Sequence, residues 1–238
     1  MRKNIIITGG SGNLGRFLVK KYSEMDYSVI NISRSRPKKI FNNELFLKCD
    51  LSSYKDVSKT LLKIKNKNIY SIISTVGNSK KNYKKLIKDK NFLNSFNDNF
   101  LSFSNLVEAY LEKFKNKPTS IIAISSIAAK KIIDAPIPYS VSKSALNFYC
   151  KIKAKEISKF KISLNVISPG NILMDNNNWS IKIKENPNKI MRYIRDNVPL
   201  NSFIFPEQIF HLCNYINTNK KNITGSNYVL DGGQVLWK

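Results

Sequence analysis

Two kinds of apolar pattern alternate along this chain. The first is a short, near-continuous run of β-branched and aromatic residues. Such runs occur at Asn4 to Thr8, Tyr27 to Ile32, Glu44 to Lys48, Ile69 to Thr75, Ser120 to Ile124, Ile162 to Ile167 and Asn227 to Leu230. Runs of this length and type suit strands buried on both faces of a parallel sheet. The second pattern recurs at helical spacing. It covers Leu14 to Glu24, a stretch capped by Ser52 or Ser53 and running to about Lys65, and Phe92 to Phe114. In Phe92 to Phe114 the apolar positions are Phe96, Phe100, Phe103, Leu106, Val107, Tyr110 and Leu111. Such positions line one face of a helix, and Pro118 ends the segment. A further helix begins near Pro138 and carries Tyr139 to about Ile157, and another spans Pro206 to Asn217. Strand and helix alternate throughout, which predicts an α/β fold with a doubly wound parallel sheet. Neither repeats nor a linker divide residues 1–238, so a single domain is expected. The stretch from Asn171 to Leu200 is polar, contains Trp179, and reads as a lid over a site.

Two segments carry candidate chemistry. The first strand ends in TGGSGNLG, Thr8 to Gly15, and a helix follows. Glycines in that context let backbone N–H groups approach a pyrophosphate, and the helix N-terminus adds partial positive charge. The second segment is SSIAAKKIIDAPIPYSVSK, Ser125 to Lys143. Tyr139 and Lys143 lie one helical turn apart on one face. A cation beside a phenol favours the phenolate and equips the pair for proton transfer to a substrate oxygen. Ser126, at the end of an apolar run, is placed to hydrogen-bond the same oxygen.

Composition narrows the picture further. The formal net charge is +24. Lysines are scattered, and Arg and aromatic residues do not interleave as a single-strand nucleic-acid platform would need. The charge therefore reads as compositional bias, with Lys80, Lys81, Lys84 and Lys85 as the one basic patch. The expected partners are a small-molecule or carrier-bound carbonyl substrate, with no specific nucleic acid and no membrane. An acidic carrier would suit the basic surface. Cys49, Cys150 and Cys213 are far apart and read as free thiols in a reducing, cytoplasmic compartment. His211, flanked by Phe210 and Leu212, reads as structural, and no metal site is expected. No apolar run is long enough to span a membrane, and the N-terminus lacks a signal-peptide core.

Taken together, these motifs resemble the short-chain dehydrogenase/reductase family over the whole chain, in particular members of the 3-oxoacyl-acyl-carrier-protein reductase type. The family's glycine motif falls on Thr8 to Gly15, its adenine-contacting acid on Asp50 with Leu51, and its NNAG strand end on Ser74 to Gly77. Its catalytic Asn, Ser, Tyr and Lys fall on Asn99, Ser126, Tyr139 and Lys143, and its PG turn on Pro169 and Gly170. The resemblance implies a Rossmann fold and hydride transfer between a nicotinamide and a carbonyl or secondary alcohol. Tyr139 would be the acid/base. Lys143 would lower its pKa and hold ribose hydroxyls. Ser126 would orient the substrate oxygen, and Asn99 would hold a water. The cofactor site implied comprises Thr8, Gly9, Ser11, Asn13, Leu14, Gly15, Ser33, Arg34, Asp50, Leu51, Val76, Gly77, Tyr139, Lys143, Pro169, Gly170 and Ile172. Three departures stand out. Asn13 replaces a motif glycine, and tolerance of left-handed backbone is expected to preserve the turn. Ser74-Thr75-Val76 loses amides that steady the site in relatives. Met174 stands where many members have Thr. Ser33 ends the second strand where NAD-dependent folds place an acid, and Arg34 and Arg36 follow. NADP is therefore the expected cofactor, with NAD the alternative. The alternative substrate is a sugar or nucleotide sugar of surface-polysaccharide synthesis, and a non-catalytic NADP-binding regulator is a third reading. Relatives pair their long helices across a twofold axis, which implies a homo-tetramer or dimer.

Overall fold

A computed structural model describes residues 2–79, 89–115 and 117–237. The expected patch at Lys80, Lys81, Lys84 and Lys85 lies outside the described residues. Seven strands form one sheet: β1 (Asn4–Thr8), β2 (Ser28–Ser33), β3 (Glu44–Lys48), β4 (Ile69–Ser74), β5 (Ser120–Ile124), β6 (Ser163–Pro169) and β7 (Asn227–Leu230). Their order is β3-β2-β1-β4-β5-β6-β7, and every pairing is parallel. The order reverses between β1 and β4, so the carboxyl ends of those strands open a crevice. In register, Thr8 faces Ile32 on one side and Ser74 on the other, and Ile124 faces Ile167. The residues that follow these positions converge on one end of the sheet.

Helices cover both faces. They are α1 (Asn13–Glu24), α2 (Tyr54–Leu62), α3 (Asp89–Phe96), α4 (Ser102–Phe114), α5 (Ile137–Ile157), α6 (Asn178–Glu185), α7 (Pro187–Asn197) and α8 (Pro206–Thr218). Strand residues feed the two faces alternately, as the two-residue period of a strand requires. Ile6, Ile72 and Ile121 pack with Leu61, Leu106, Tyr110, Leu146 and Ile157 from α2, α4 and α5. Ile5, Ile7, Ile73 and Ile122 pack with Leu18, Tyr22, Ile209 and Cys213 from α1 and α8. Both faces of the sheet are therefore buried, which explains why the strands read as continuous apolar runs. All three cysteines are buried and free. Among the described residues, no helix is long and apolar enough to cross a membrane.

Some predicted boundaries shift. Phe92 to Phe114 is not one regular helix: α3 and α4 are separated by a π-helical turn over Asn97–Leu101. Ser53, not Ser52, caps α2 by accepting the Asp56 N–H at 3.3 Å. The stretch 171–200 is more ordered than its polarity suggests. It holds α6 and α7, which with Phe203 build a small core of their own around Ile190, Ile194 and Val198. Trp179 packs on Tyr193 and Phe203 beside that core, with ring centroids 5.4 and 5.6 Å away.

Candidate active site

The glycine turn is shaped by close approach. Gly9 has φ +74°, the left-handed region that favours glycine. Its N–H donates to Ile32 O at 3.0 Å, and Gly12 N–H donates back to Gly9 O at 2.9 Å. A Cβ at Gly15 would lie 2.2 Å from Gly9 O and 2.7 Å from Thr75 Oγ1, so only glycine lets α1 pack here. Gly12 precedes α1 with no side-chain cap, and the first turn contains no acid. The leading amides of α1 are therefore suited to a bound anion. The turn does not need left-handed backbone at Asn13: that residue opens α1 and is absent from the positive-φ positions. Leu14 packs against the core beneath. Ser11 is fixed by its hydroxyl, which donates to Ser35 O at 2.6 Å.

Hydroxyls replace the amides missing from the β4 end. Thr8 Oγ1 donates to Ser74 Oγ at 2.9 Å, and Thr75 Oγ1 donates to Thr8 O at 2.8 Å. These bonds brace β1 against β4 at the crevice. Gly77 follows, and a Cβ there would meet Lys143 Nζ at 2.9 Å and Asn99 Oδ1 at 3.1 Å.

A cleft of about 250 Å³ opens at this end of the sheet, lined by Gly9, Ser11, Ser33, Arg34, Asp50, Leu51, Val76 and Gly77 among others. Ser33 donates its hydroxyl proton to Asn31 Oδ1 at 2.7 Å and accepts the Ser11 N–H at 3.3 Å. Arg34 pairs with Asp98 at 3.3 Å. Asp50 is exposed at the cleft wall and accepts two hydrogen bonds from Ser52. Arg36 does not line the cleft; its guanidinium lies 5.9 Å from the Phe46 ring centroid.

Thr75, Gly77 and Asn78 also line a second cleft, of about 170 Å³, with Ser126, Tyr139, Lys143, Pro169, Gly170 and Ile172. Ser126, Tyr139, Gly170 and Ile172 in turn border a third, of about 300 Å³, whose lining includes Trp179. Tyr139 thus stands at the junction of the last two. Shared lining residues join the three clefts into one trough from Arg34 to Trp179, the kind of site an extended dinucleotide takes. The glycine contacts and the uncapped α1 amides fit such a ligand. Met174 faces elsewhere, lining an open groove of about 760 Å³ with Asn13 and Arg16.

Lys143 is 2% exposed, and its ammonium donates to Ile124 O at 3.0 Å and Val76 O at 3.4 Å. Burial lowers its pKa to about 8, against a smaller opposing pull from Cys150. Lys143 Nζ lies 5.9 Å from the Tyr139 ring centroid. The net direction for Tyr139 is nevertheless up: burial raises its pKa, and a hydrogen bond with Ser126 only partly offsets this. The phenol lowered by its lysine, as expected from the spacing, is not what these surroundings produce. Ser126 Oγ also accepts the Ala128 N–H at 3.1 Å. Asn99 is buried in the π-helical turn, and its side chain bonds on both ends. Oδ1 accepts the Asn78 N–H at 2.9 Å, while Nδ2 donates to Asn78 O at 3.0 Å and Ser95 O at 2.8 Å. Its amide therefore clamps the strand-end loop.

One buried network escaped the sequence reading. The Glu44 side chain is fully buried and takes a two-pronged bond from Arg16, at 2.6 Å on each oxygen. Asn31 Nδ2 and the Phe41 N–H also donate to it. Burial alone would raise the Glu44 pKa; the bonds from Arg16, Asn31 and Phe41 outweigh it, and the net direction is down. Through Asn31 the network reaches Ser33. The sequence signal was an acid at the start of a short strand, ELFLK.

Comparison with known proteins agrees with this geometry. The family model for short chain dehydrogenase matches residues 3–184. Carbonyl reductase family member 4 of Xenopus laevis is 27% identical over 99% of this chain and 99% of its own length. The 3-oxoacyl-[acyl-carrier-protein] reductase of Mus musculus is 23% identical over the same shares. A short chain dehydrogenase from Leptospira borgpetersenii with bound NAD+ has the same fold, with TM-score 0.88, 24% identity and coverage of 99% and 93% of the two chains. So does ElxO with NADP bound, with TM-score 0.87, 23% identity and coverage of 99% and 100%. With the model spanning most of the chain and the glycine turn, Ser126, Tyr139 and Lys143 gathered along one trough, the chain belongs to the short-chain dehydrogenase family, oxidoreductases that act on carbonyl and alcohol groups with a nicotinamide cofactor.

Proposed function

We propose that this protein is an NADP(H)-dependent reductase whose substrate carbonyl sits beside Tyr139, and that a 3-oxoacyl thioester is the substrate class it fits best. The observation that carries the reading is the position of Tyr139, with Ser126, at the junction of the inner cleft and the cleft under Trp179. When bound, the nicotinamide supplies the hydride. Tyr139 gives its phenolic proton to the carbonyl oxygen, and its raised pKa keeps that proton in place until the oxygen becomes basic. Ser126 accepts from Ala128 N–H through one lone pair, and its hydroxyl proton, shared with the Tyr139 oxygen, turns to the substrate oxygen when that oxygen enters beside the pair. Lys143, held by two carbonyls, offers its remaining donor capacity to ribose hydroxyls at the floor of the trough.

The substrate class is supported by what lines the outer cleft. Asn177 uses its carbonyl to cap α6 and its amide to bond Ile172 O, and Asn171 bonds Gln234. With those amides committed, Ile133, Ala135, Ile172 and Trp179 form an apolar strip that suits an acyl chain, beside the polar Asp134, Asn178 and Lys182. The likeness to a 3-oxoacyl-[acyl-carrier-protein] reductase supports the same direction. A sugar or nucleotide sugar is the second reading, favoured by Asp134 and Asn178 in the same cleft. NADP is supported by Ser33 and Arg34, with no acid at the end of β2. A panel of 3-oxoacyl thioesters and keto-sugars, each with NADPH and NADH, tests all of this by absorbance of the reduced nicotinamide. The expected result is turnover of the thioesters, at least about tenfold better with NADPH, and loss of at least about a thousandfold in Tyr139→Phe with cofactor affinity kept. Turnover confined to sugars would replace the substrate class, and near-normal turnover by Tyr139→Phe would remove the mechanism.

A further inference from the structure

Among the described residues, the Arg34 end of the trough is locally acidic in a strongly basic chain. Among the described residues, its charged lining is Arg34, Asp50 and Asp98: one cation and two carboxylates. The chain as a whole carries a formal +24. Asp98 lies in the π-helical turn, directly before Asn99. Its Oδ1 is 3.3 Å from Arg34 Nη1, and its Oδ2 accepts from Asn78 Nδ2 at 3.4 Å. The Asp98 side chain is 22% exposed, while that of Arg34 is 65% exposed. The acid is thus the fixed partner, anchored by the Asn78 amide and by the turn that Asn99 clamps. The arginine is the movable one.

We propose that Asp98 is a specificity-determining residue for the cofactor, acting by competing with a ribose 2′-phosphate for Arg34. The inference rests on the reading that the adenosine ribose docks at Ser33 and Arg34. A 2′-phosphate carries between one and two negative charges near neutral pH, as phosphate monoesters do. To bind Arg34 through paired hydrogen bonds it must take the guanidinium from Asp98. It must also sit near a carboxylate that repels it. A 2′-hydroxyl makes neither demand, so the Arg34–Asp98 pair stays intact when NAD binds. Asp98 therefore narrows the margin that Arg34 gives to NADP. The same chemistry yields an asymmetry: removing the acid improves binding of the phosphorylated cofactor selectively, and chiefly while Arg34 is present to be released.

Calorimetric titration of the full-length protein tests this with four probes: NADP+, NAD+, 2′-AMP and 5′-AMP. The proteins are the wild type, Asp98→Asn, Arg34→Ala and the double variant, at one fixed salt concentration. Asp98→Asn should tighten NADP+ and 2′-AMP by about tenfold and leave NAD+ and 5′-AMP within about twofold. In the Arg34→Ala background the same change should have at most about a threefold effect. Asp98→Ser, checked for an unchanged melting temperature, repeats the measurement should Asn disturb the turn. An unchanged ratio of NADP+ to NAD+ affinity in both Asp98 variants overturns the inference, as does an equal gain in the Arg34→Ala background. A wild type that prefers NAD+ overturns the cofactor reading instead. The Asp98 inference then stands if Asp98→Asn still moves the ratio about tenfold toward NADP+, and falls if it does not.

Discussion

Lys143 illustrates how burial and function meet in a single side chain. An ammonium held away from water is a weaker base than a free one, and its pKa falls to about 8. Tyr139 shifts the other way, so the phenol is not the group that titrates first. The value of kcat/KM for the reduced cofactor reports ionisations of the free enzyme. Lys143 is charged below about pH 8 and neutral above it. The charged form is the one that can donate to a ribose and attract the diphosphate. We expect kcat/KM to be level below about pH 8 and to fall about tenfold per unit above it. A profile level to about pH 10, the range of a free lysine, would show that the buried ammonium is stabilised in the active enzyme. Residues such as Gly15, Tyr139 and Lys143 were legible because their meaning is carried by near neighbours in sequence: a turn before a helix, a pair one turn apart. Asn99 was legible as a site residue but not in its contacts, because its partner Asn78 is brought to it only by the tertiary fold.

Between elements, the bond from Arg16 to Glu44 joins the first turns of α1 to the start of β3, with Asn31 of β2 between them. Arg16 also lies over the Phe41 ring at 4.3 Å. The glycine turn is thereby held against the strand that ends in Ser33. Because the folded Glu44 pKa is depressed, the folded state binds fewer protons than the unfolded one over the carboxylate range. Its contribution is present above the unfolded value and is lost as pH falls through the folded one. Glu44→Gln should cost about 3 kcal/mol at neutral pH, because it leaves Arg16 partly buried without its charge partner. Urea unfolding would show the gap to wild type shrinking as the medium is acidified through that range; a constant gap would mean that the amide, not the charge, is at fault. At this scale the strands were readable because both faces of the sheet are buried. The break between α3 and α4 was not, because Phe96, Phe100 and Phe103 keep a helical rhythm straight through it. Helices α6 and α7 were hidden for the opposite reason: they are short and polar, and the core around Ile190 and Ile194 is completed by Val198 and Phe203 beyond them. Asn177 and Asn186, which cap them, were the available signal.

At the scale of the whole molecule, α5 is apolar on two sides. One side, with Leu146, Cys150, Ala154 and Ile157, packs into the core. Ile137, Val141, Phe148 and Ile152 face outward, and Phe148 and Ile152 are 66% and 56% exposed. These positions fall within about 60° of one another around a helix of 3.6 residues per turn, so they form a stripe. An apolar stripe on a long helix is what a twofold interface between copies uses, since each copy then supplies the same face to the other. A second apolar region lies at the far edge of the sheet. There the edge strand β7 exposes Val229, and Leu236 and Trp237 follow it. The tail is not loose: Lys131 Nζ donates to Gln234 O and Trp237 O, and Trp237 Nε1 donates to Asp196 O at 3.1 Å. Two distinct self-complementary faces build a tetramer of dimers-of-dimers symmetry, whereas one face builds only a dimer. We therefore expect light scattering on the eluting protein to give the mass of four protomers. Phe148→Asp, which places a charge in the α5 stripe while leaving the core side of the helix untouched, should reduce that mass to two. Retention of a dimer by this variant would assign the remaining contact to the β7 edge, and Trp237→Ser in the same background should then yield monomers. A wild-type mass of one protomer, unchanged over a hundredfold range of concentration, would instead mean that the stripe on α5 is left open to water.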